Sequence, residues 1–379
     1  MTPGVAEQVR PVDTARTELL TVGVEEEFLL TDPATGAAVP AVHAVLERVP
    51  PELAGQVQLE FQTSQVEIGS PPGLELAALR HSLALLRSGV ADAAEQAGAR
   101  LVAVGTGPVP GPVPPVVDKP RYHQMVERLG LLVPSPGSNG MHVHVGVGEP
   151  DLAVEVLNHL RPWLPILHAA TANSPFYEGA DTDYASWRSM LWERWPSVAP
   201  TPYLESYAHY QRLIDELIAT GIMLDDGMLY WYSRLSATYP TVEIRIGDVC
   251  PSLDDTILIA ALCRALVATV VQEIETGRPA PQVEHHRLVG AHWRAAHDGL
   301  EGRAVDPETG DLRPAWHVLR DLFERVRPQL DRHGDLGLVT YLLGKLHSHG
   351  TGAARQRAIF DRSGQLSDVL DELARETRG

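Results

Sequence analysis

The first strongly patterned stretch runs from Leu19 to Leu30, where apolar residues alternate with glycine and acidic residues before the turn signal Asp32-Pro33-Ala34-Thr35-Gly36. A period of two predicts a half-buried strand. A second strand-like region, Val57 to Ile68, is closed by Gly69-Ser70-Pro71-Pro72. From Leu74 to Gly98 the residues Leu76, Leu79, Leu83, Leu86 and Val90 recur at helical spacing and predict an amphipathic helix. Short strands are predicted at Leu101–Val104, Gly140–Gly148 and Thr241–Gly247, and helices at Pro202–Thr220 and Asp255–Glu275. A helix from about Asp151 should kink near Pro162 and Pro165, because proline lacks the amide donor of a helix interior. Beyond about Glu284 the pattern is mostly helical. Residues 105–115, GTGPVPGPVPP, are too rich in glycine and proline for regular structure and read either as a substrate lid or as a rigid connection. Residues 1–17 read as a flexible N-terminal tail and residues 18–379 as a single domain. Long helices between dispersed strands predict the α+β class with an antiparallel sheet.

Within a strand, residues i and i+2 point to the same side, roughly 7 Å apart. Glu25 and Glu27 therefore share a face, while Glu26 points the other way with Val24 and Phe28. Two neighbouring anions repel unless a cation lies beside them, so this pair is either a cation site or the solvated face of an edge strand. His142 and His144 share a face in the same manner, with Met141, Val143 and Val145 behind them. Glu243 and Arg245 share another, backed by Val242, Ile244 and Ile246. That pair suits a cross-strand salt-bridge ladder, or a metal-binding carboxylate beside an arginine for phosphate. Glu60 and Glu67 are seven positions apart and fall on opposite faces of any one regular strand. Only one of them is expected at a shared site unless a bulge intervenes. An antiparallel sheet curling around a polar cavity would present all these faces to one site. Oxygen-rich ligands with an imidazole suit Mg²⁺ or Mn²⁺, and carboxylate-held Mg²⁺ usually completes its shell with substrate phosphates. A nucleotide substrate follows.

Composition narrows the partners. The 379 residues carry 31 Lys and Arg against 49 Asp and Glu, a formal charge of −18. This argues against nucleic acid or an anionic membrane surface, both of which call for a basic face. Cys250 and Cys263 are the only cysteines, too few for a disulfide framework or a thiolate zinc site. The opening residues lack the apolar core of a signal peptide. The most lipid-like stretch, Ile257 to Val271, is short and carries Arg264, which suits a buried helix rather than a membrane span. The expected compartment is the cytosol. No Walker A, GxGxxG, HExxH or GxSxG motif with its proper context is present. His285, His286, His292, His347 and His349 have no recognised metal spacing and read as surface loop residues.

The segments GVEEEFLL, SQVEIGSP, GMHVHVGV, ANSPFYEGADTDYASWRSMLWERWP and TVEIRIGDVCPSLDD resemble the carboxylate–amine ligases of the glutamate–cysteine ligase type 2 family, also called YbdK-like. The resemblance runs from about Thr21 to near Arg357. More distantly, GMHVH and VEIR followed by Asp are similar to the metal and phosphate strands of glutamine synthetase. The resemblance implies that enzyme's fold for a single catalytic domain, a curved antiparallel β-sheet lining the active site with helices around it.

The resemblance also implies an ATP-dependent ligase that forms a γ-glutamyl amide through an acyl phosphate, from glutamate or a similar carboxylate and an amino-compound acceptor such as cysteine. Under this reading Glu27 and Glu67 hold one divalent ion and Glu25, His142 and Glu243 another, with Glu60 as an additional ligand. Arg245 neutralises the transferring phosphoryl group, and Arg188, in YASWRSM, clamps the substrate's α-carboxylate with its planar fork. His144 contacts the nucleotide or its phosphates, and Arg355 and Arg357, in TGAARQR, are further nucleotide-binding candidates. Trp187, Trp192 and Trp195 belong to the core or the cavity wall. A homodimer is a family-level expectation. Two other readings stay open: a guanidino-kinase-like phosphoryl-transfer enzyme of the same fold, and a non-catalytic metabolite-binding relative.

Overall fold

The structure, a computed structural model, describes residues 19–132 and 138–379. The tail expected over residues 1–17 lies outside the described residues. In chain order the strands that matter are β1 (Val22–Thr31), β2 (Val57–Leu59), β3 (Gln65–Gly69), β4 (Arg100–Val102) and β5 (Met141–Gly146). A separate small hairpin follows, β6 (Phe176–Tyr177) and β7 (Ala180–Asp181), and then β8 (Ser233–Leu235) and β9 (Thr241–Ile244). Seven of these strands form one open antiparallel sheet in the order β2-β3-β1-β5-β9-β8, with β4 beside the far half of β1.

β1 is the axis of the sheet because it alone is long enough to take three partners. One edge pairs with β3; the other pairs with β5 over Val22–Glu26 and with β4 over Leu29–Thr31. On one face, Val24, Phe28, Val66, Ile68, Val143, Val145, Val242 and Ile244 are buried. Helices Leu76–Gln96 and Leu253–Glu275 pack against β1 on that side. Removing this apolar surface from water is the main stabilising contribution, at about 25 cal/mol per Å². Helix Leu253–Glu275 also contacts helices Pro150–Leu160, Ala315–Arg332 and Leu336–His349. Among the described residues it is long and apolar enough to cross a membrane, but most of it is buried inside this helix layer. Ser252 starts it by accepting a hydrogen bond from Asp255 N, and Asp254 and Asp255 complement the helix dipole.

Several local expectations change in the folded chain. The segment expected as one strand from Val57 to Ile68 is a hairpin, because the polar run Gln62-Thr63-Ser64 reverses the chain and Gln65 N bonds back to Gln62 O at 3.0 Å. The kinked helix is two helices, Pro150–Leu160 and Leu164–Ala170, with Pro165 in the first turn of the second, where no amide donor is needed. Residues 105–108 are buried, and Gly105 N bonds to Asn173 O at 3.1 Å and Gly179 N to Pro108 O at 2.8 Å. At the other end, Thr63 N bonds to Pro115 O at 2.9 Å, so both ends of the segment are tied to the body of the fold while residues 110–113 between them are exposed. The histidines read as loop residues lie in helices. His285 and His286 begin helix His285–Asp298, and His347 and His349 end helix Leu336–His349, all four exposed. His292, in the first of these helices, is buried against His168.

Candidate active site

In an antiparallel pair, directly opposed residues share a face. The register sets Glu27 opposite Glu67, Glu25 opposite His142, and His144 opposite Glu243, which is itself opposite Arg234. The polar sides of five strands thus meet on the face turned away from helices Leu76–Gln96 and Leu253–Glu275. Of these, Glu25, Glu27, Glu67, His142, Arg234 and Glu243, but not His144, line a cavity of about 240 Å³ that also receives Glu60, Arg188 and Arg245, with Phe61, Tyr122, Trp192, Trp195 and Tyr230 among its walls. Glu60 and Glu67 both reach it. The expectation that only one would do so assumed a single strand, and the β2–β3 reversal removes that constraint.

Glu25 is the hub. Its Oε2 lies 3.3 Å from His142 Nδ1 and 3.4 Å from His144 Nε2. Candidate ligand atoms of Glu25, Glu67 and His142 lie within 4.8 Å of one another, and so do those of Glu25, His144 and Glu243. The grouping differs from the one the resemblance implied. Glu25 belongs to both sets, Glu67 joins it with His142, and His144 stands among the groups close enough to share a cation. Glu27 is fixed by Gly140 N, which donates to its Oε2 at 2.5 Å, and its Oε1 lies 3.8 Å from His142 Nε2.

The charges in the cavity are unevenly balanced. Burial opposes ionisation of Glu25, but hydrogen bonds and charge from His142 and His144 outweigh it and hold the carboxyl well below its ordinary range. At Glu243 burial is likewise opposed, by Arg245 and Arg234, and the carboxyl titrates at about 2. Burial, followed by repulsion from Glu27, pushes Glu60 up to about 7. Burial and then Glu60, Glu25 and Glu27 drive Glu67 well above its ordinary value. A hard divalent cation among these oxygens would relieve the repulsion, and the donor set of carboxylates with imidazoles fits Mg²⁺ or Mn²⁺.

Both arginines expected at the site are there. Arg245 Nη1 lies 3.2 Å from Glu243 Oε1, and its guanidinium sits over Tyr230 and Trp192, with no hydrogen-bond partner for Nε among the described residues. Arg188 is buried over Trp192, donates from Nη1 to Ile246 O at 3.2 Å, and has no partner for Nε among the described residues. Trp192 and Trp195 are cavity wall, whereas Trp187 packs against Tyr177 and Tyr184. Arg355 and Arg357 do not line the cavity. Arg355 pairs with Asp255 and Glu376, and Arg357 with Asp181 and the Tyr184 carbonyl.

Sequence reasoning missed Arg234, which donates from Nε to Glu243 Oε2 at 2.7 Å. Its strand is three residues long, too short for a period to register. Arg121 was also missed. It lines the cavity from helix Pro120–Leu129 and forms a two-pronged pair with Asp225 at 2.7 Å for each bond.

The fold is shared with known ligases. It matches a bifunctional glutathione synthetase from Pasteurella multocida with a TM-score of 0.70 at 18% identity, covering 95% of this chain and 52% of that one. It matches a glutamate–cysteine ligase from Francisella tularensis, solved in complex with AMP, with a TM-score of 0.68 at 12% identity, covering 95% and 89%. At these identities the likeness concerns the fold alone, an open antiparallel sheet with helices packed against one face. In sequence, the profile of glutamate–cysteine ligase family 2 matches residues 21–376. A protein of Salinispora arenicola named glutamate–cysteine ligase 2 is 53% identical over 360 residues, 95% of each chain. The chain belongs to glutamate–cysteine ligase family 2.

Proposed function

We propose that the protein is an ATP-dependent carboxylate–amine ligase that forms a γ-glutamyl amide through an acyl phosphate. The observation that carries this reading is the convergence of Glu25, Glu27, Glu60, Glu67, His142 and Glu243 with Arg188 and Arg245 around one cavity.

A free carboxylate resists amine attack, so it must first acquire a leaving group. The side-chain carboxylate of glutamate attacks the γ-phosphorus of ATP; a P–O bond forms, the bond to the β-phosphate oxygen breaks, and ADP leaves. The acceptor amine then attacks the acyl carbon. A C–N bond forms, the acyl C–O bond breaks, phosphate leaves, and the ammonium proton passes to phosphate or solvent. Little covalent chemistry falls to the protein, so its contribution is positioning and charge neutralisation. Arg245, buried and with its Nε unpaired among the described residues, meets the charge of the transferring phosphoryl group. Arg188, whose Nε has no partner among the described residues, offers its planar fork to the α-carboxylate. His144 contacts the nucleotide phosphates or joins the cation ligands. Glu25, Glu27, Glu60, Glu67, His142 and Glu243 would hold Mg²⁺ or Mn²⁺, which when bound neutralises phosphate charge. Glutamate is the carboxylate this reading expects, and cysteine is one acceptor among the amino compounds to be tried.

The test is a panel of amines offered to purified protein with ATP, Mg²⁺ and glutamate, reading phosphate release and product mass. Amine-dependent phosphate release with the mass of a γ-glutamyl amide is expected. A stable phosphorylated product with no condensation would overturn the ligase and favour a kinase.

A further inference from the structure

The chain segment that carries Glu243 and Arg245 ends in a third charged residue, Asp248, which does not line the cavity. It is fully buried. Its Oδ2 accepts hydrogen bonds from Asn173 N at 2.9 Å and Ser174 Oγ at 2.7 Å, and its Oδ1 accepts from Ser186 Oγ at 2.8 Å. Oδ1 also lies 4.0 Å from Arg188 Nη1. Ser174 Oγ accepts in turn from Arg188 N at 3.0 Å, and Ser186 is the residue from which helix Trp187–Trp192 starts. One carboxylate therefore holds both the charge of Arg188 and the start of the short helix that carries it.

Two glycines make room for this arrangement. A β-carbon on Gly140 would run into the Arg188 guanidinium, and one on Gly105 would lie 2.9 Å from the Asp248 carboxyl and from Ser174 Cβ. The glycine that opens the proline-rich connection thus has a packing reason tied to Asp248.

We propose that Asp248 is a positioning residue for Arg188, and through it sets affinity for the carboxylate substrate. The inference rests on the ligase reading, in which Arg188 is the carboxylate clamp. It has a second consequence that needs no ligand. A carboxylate only accepts, so Ser186 must donate to Asp248. Ser189 Oγ, 2.8 Å from Ser186 Oγ, must then donate to Ser186, and it accepts from His168 Nε2 at 2.6 Å. His168 therefore carries its proton on Nε2, and its Nδ1 accepts from His292 Nδ1 at 3.4 Å. Burial keeps both rings neutral, pushing His168 down to about 3 and His292 well below its ordinary value. The charge at position 248 orders the whole chain of donors.

The experiment compares Asp248→Asn, Arg188→Lys and the double variant with the wild type, measuring kcat and the KM of each substrate. Asp248→Asn is expected to raise KM for glutamate by roughly tenfold or more while KM for ATP stays within about twofold. In the Arg188→Lys background the same change should add less than about twofold, because the two residues act as a unit. An asparagine amide donates to Ser186 and reverses the donors, so the ¹⁵N signals of His168 should move from the Nε2–H to the Nδ1–H tautomer. Ser186→Ala, which keeps the buried charge, is the second variant and should raise glutamate KM selectively by a smaller factor. Equal changes in both KM values, independent addition in the double variant, or an unchanged His168 tautomer would overturn the inference while leaving an active ligase. A wild type without glutamate-dependent phosphate release would instead remove the ligase reading, and this inference with it.

Discussion

Glu26 and Arg87 form a fully buried ion pair behind the polar sheet face, with Arg87 Nε 2.8 Å from Oε2 and Nη2 2.5 Å from Oε1 of the carboxylate. Thr256 Oγ1 donates to the same carboxylate at 2.6 Å, and Arg87 also donates to the carbonyls of Cys250 and Pro251. The acidic triplet at positions 25–27 is therefore divided by the pleat. Its outer members face the cavity, and its middle member ties the sheet to helices Leu76–Gln96 and Leu253–Glu275.

Glu26→Ala should destabilise the fold by about 3–5 kcal/mol, because it strands a buried guanidinium without its counter-charge. Because Glu26 faces away from the cavity, the loss should fall on the fold and not on the site. Urea denaturation should show the loss, and the fraction that remains folded should keep the wild-type KM values. A variant as stable as the wild type would refute the buried pair.

Glu25→Ala and Glu27→Ala should each abolish Mg²⁺-dependent ATP turnover while the melting temperature moves by no more than about 4 °C. Loss of Glu25 gives up its contacts with His142 and His144 but relieves its repulsion on Glu67, and loss of Glu27 relieves Glu60 and Glu67, so the net change in folding is small. Turnover and thermal melts on the same preparations separate this pattern from that of Glu26.

Without a divalent cation, stability should fall as pH rises above roughly 6.5, where buried His168 and His292, with their lowered folded values, no longer contribute the opposite trend. The sign follows from Glu60 and Glu67, whose folded values are raised above the ordinary 4.5, Glu60 to about 7. The folded state binds their protons more tightly than the unfolded state, so raising pH favours unfolding. Glu25 and Glu243 have the opposite sign: their values are depressed, Glu243 to about 2, and the stability they contribute is lost below about pH 4.5. Melting in chelator across this range should show the decline, and Mg²⁺ should raise the melting temperature more at pH 8 than at pH 5. A flat profile in chelator would count against crowded, cation-seeking carboxylates.

Arg357→Ala should leave KM for ATP within about twofold of the wild type. Its guanidinium is taken up by Asp181 and the Tyr184 carbonyl, outside the cavity lining. Arg355→Ala should act on stability, by freeing Asp255 and Glu376 beside the start of helix Leu253–Glu275. A selective tenfold rise in KM for ATP in either variant would return that residue to the nucleotide site.

Side-chain direction along a strand is a local property, and for that reason the sequence by itself determined which members of Val22–Phe28, Met141–Val145 and Thr241–Ile246 share a face. Glu25 with Glu27, His142 with His144, and Glu243 with Arg245 follow from the two-residue period alone. Which face meets which is not local. Strand register joins positions more than a hundred residues apart, and only the tertiary structure set Glu25 opposite His142 and made it common to two groups of ligands. The chain reversal after Glu60 likewise brought two acids together that one strand would have separated. Arg87 and Arg234 carry no mark in the sequence, since a buried charge is recognised by its partner, and the partner is chosen by packing; the Asp248 motif is legible, but not its place beside Arg188. The pleat had already parted Glu26 from Glu25 and Glu27; what it would be parted to meet depended on a helix sixty residues further on.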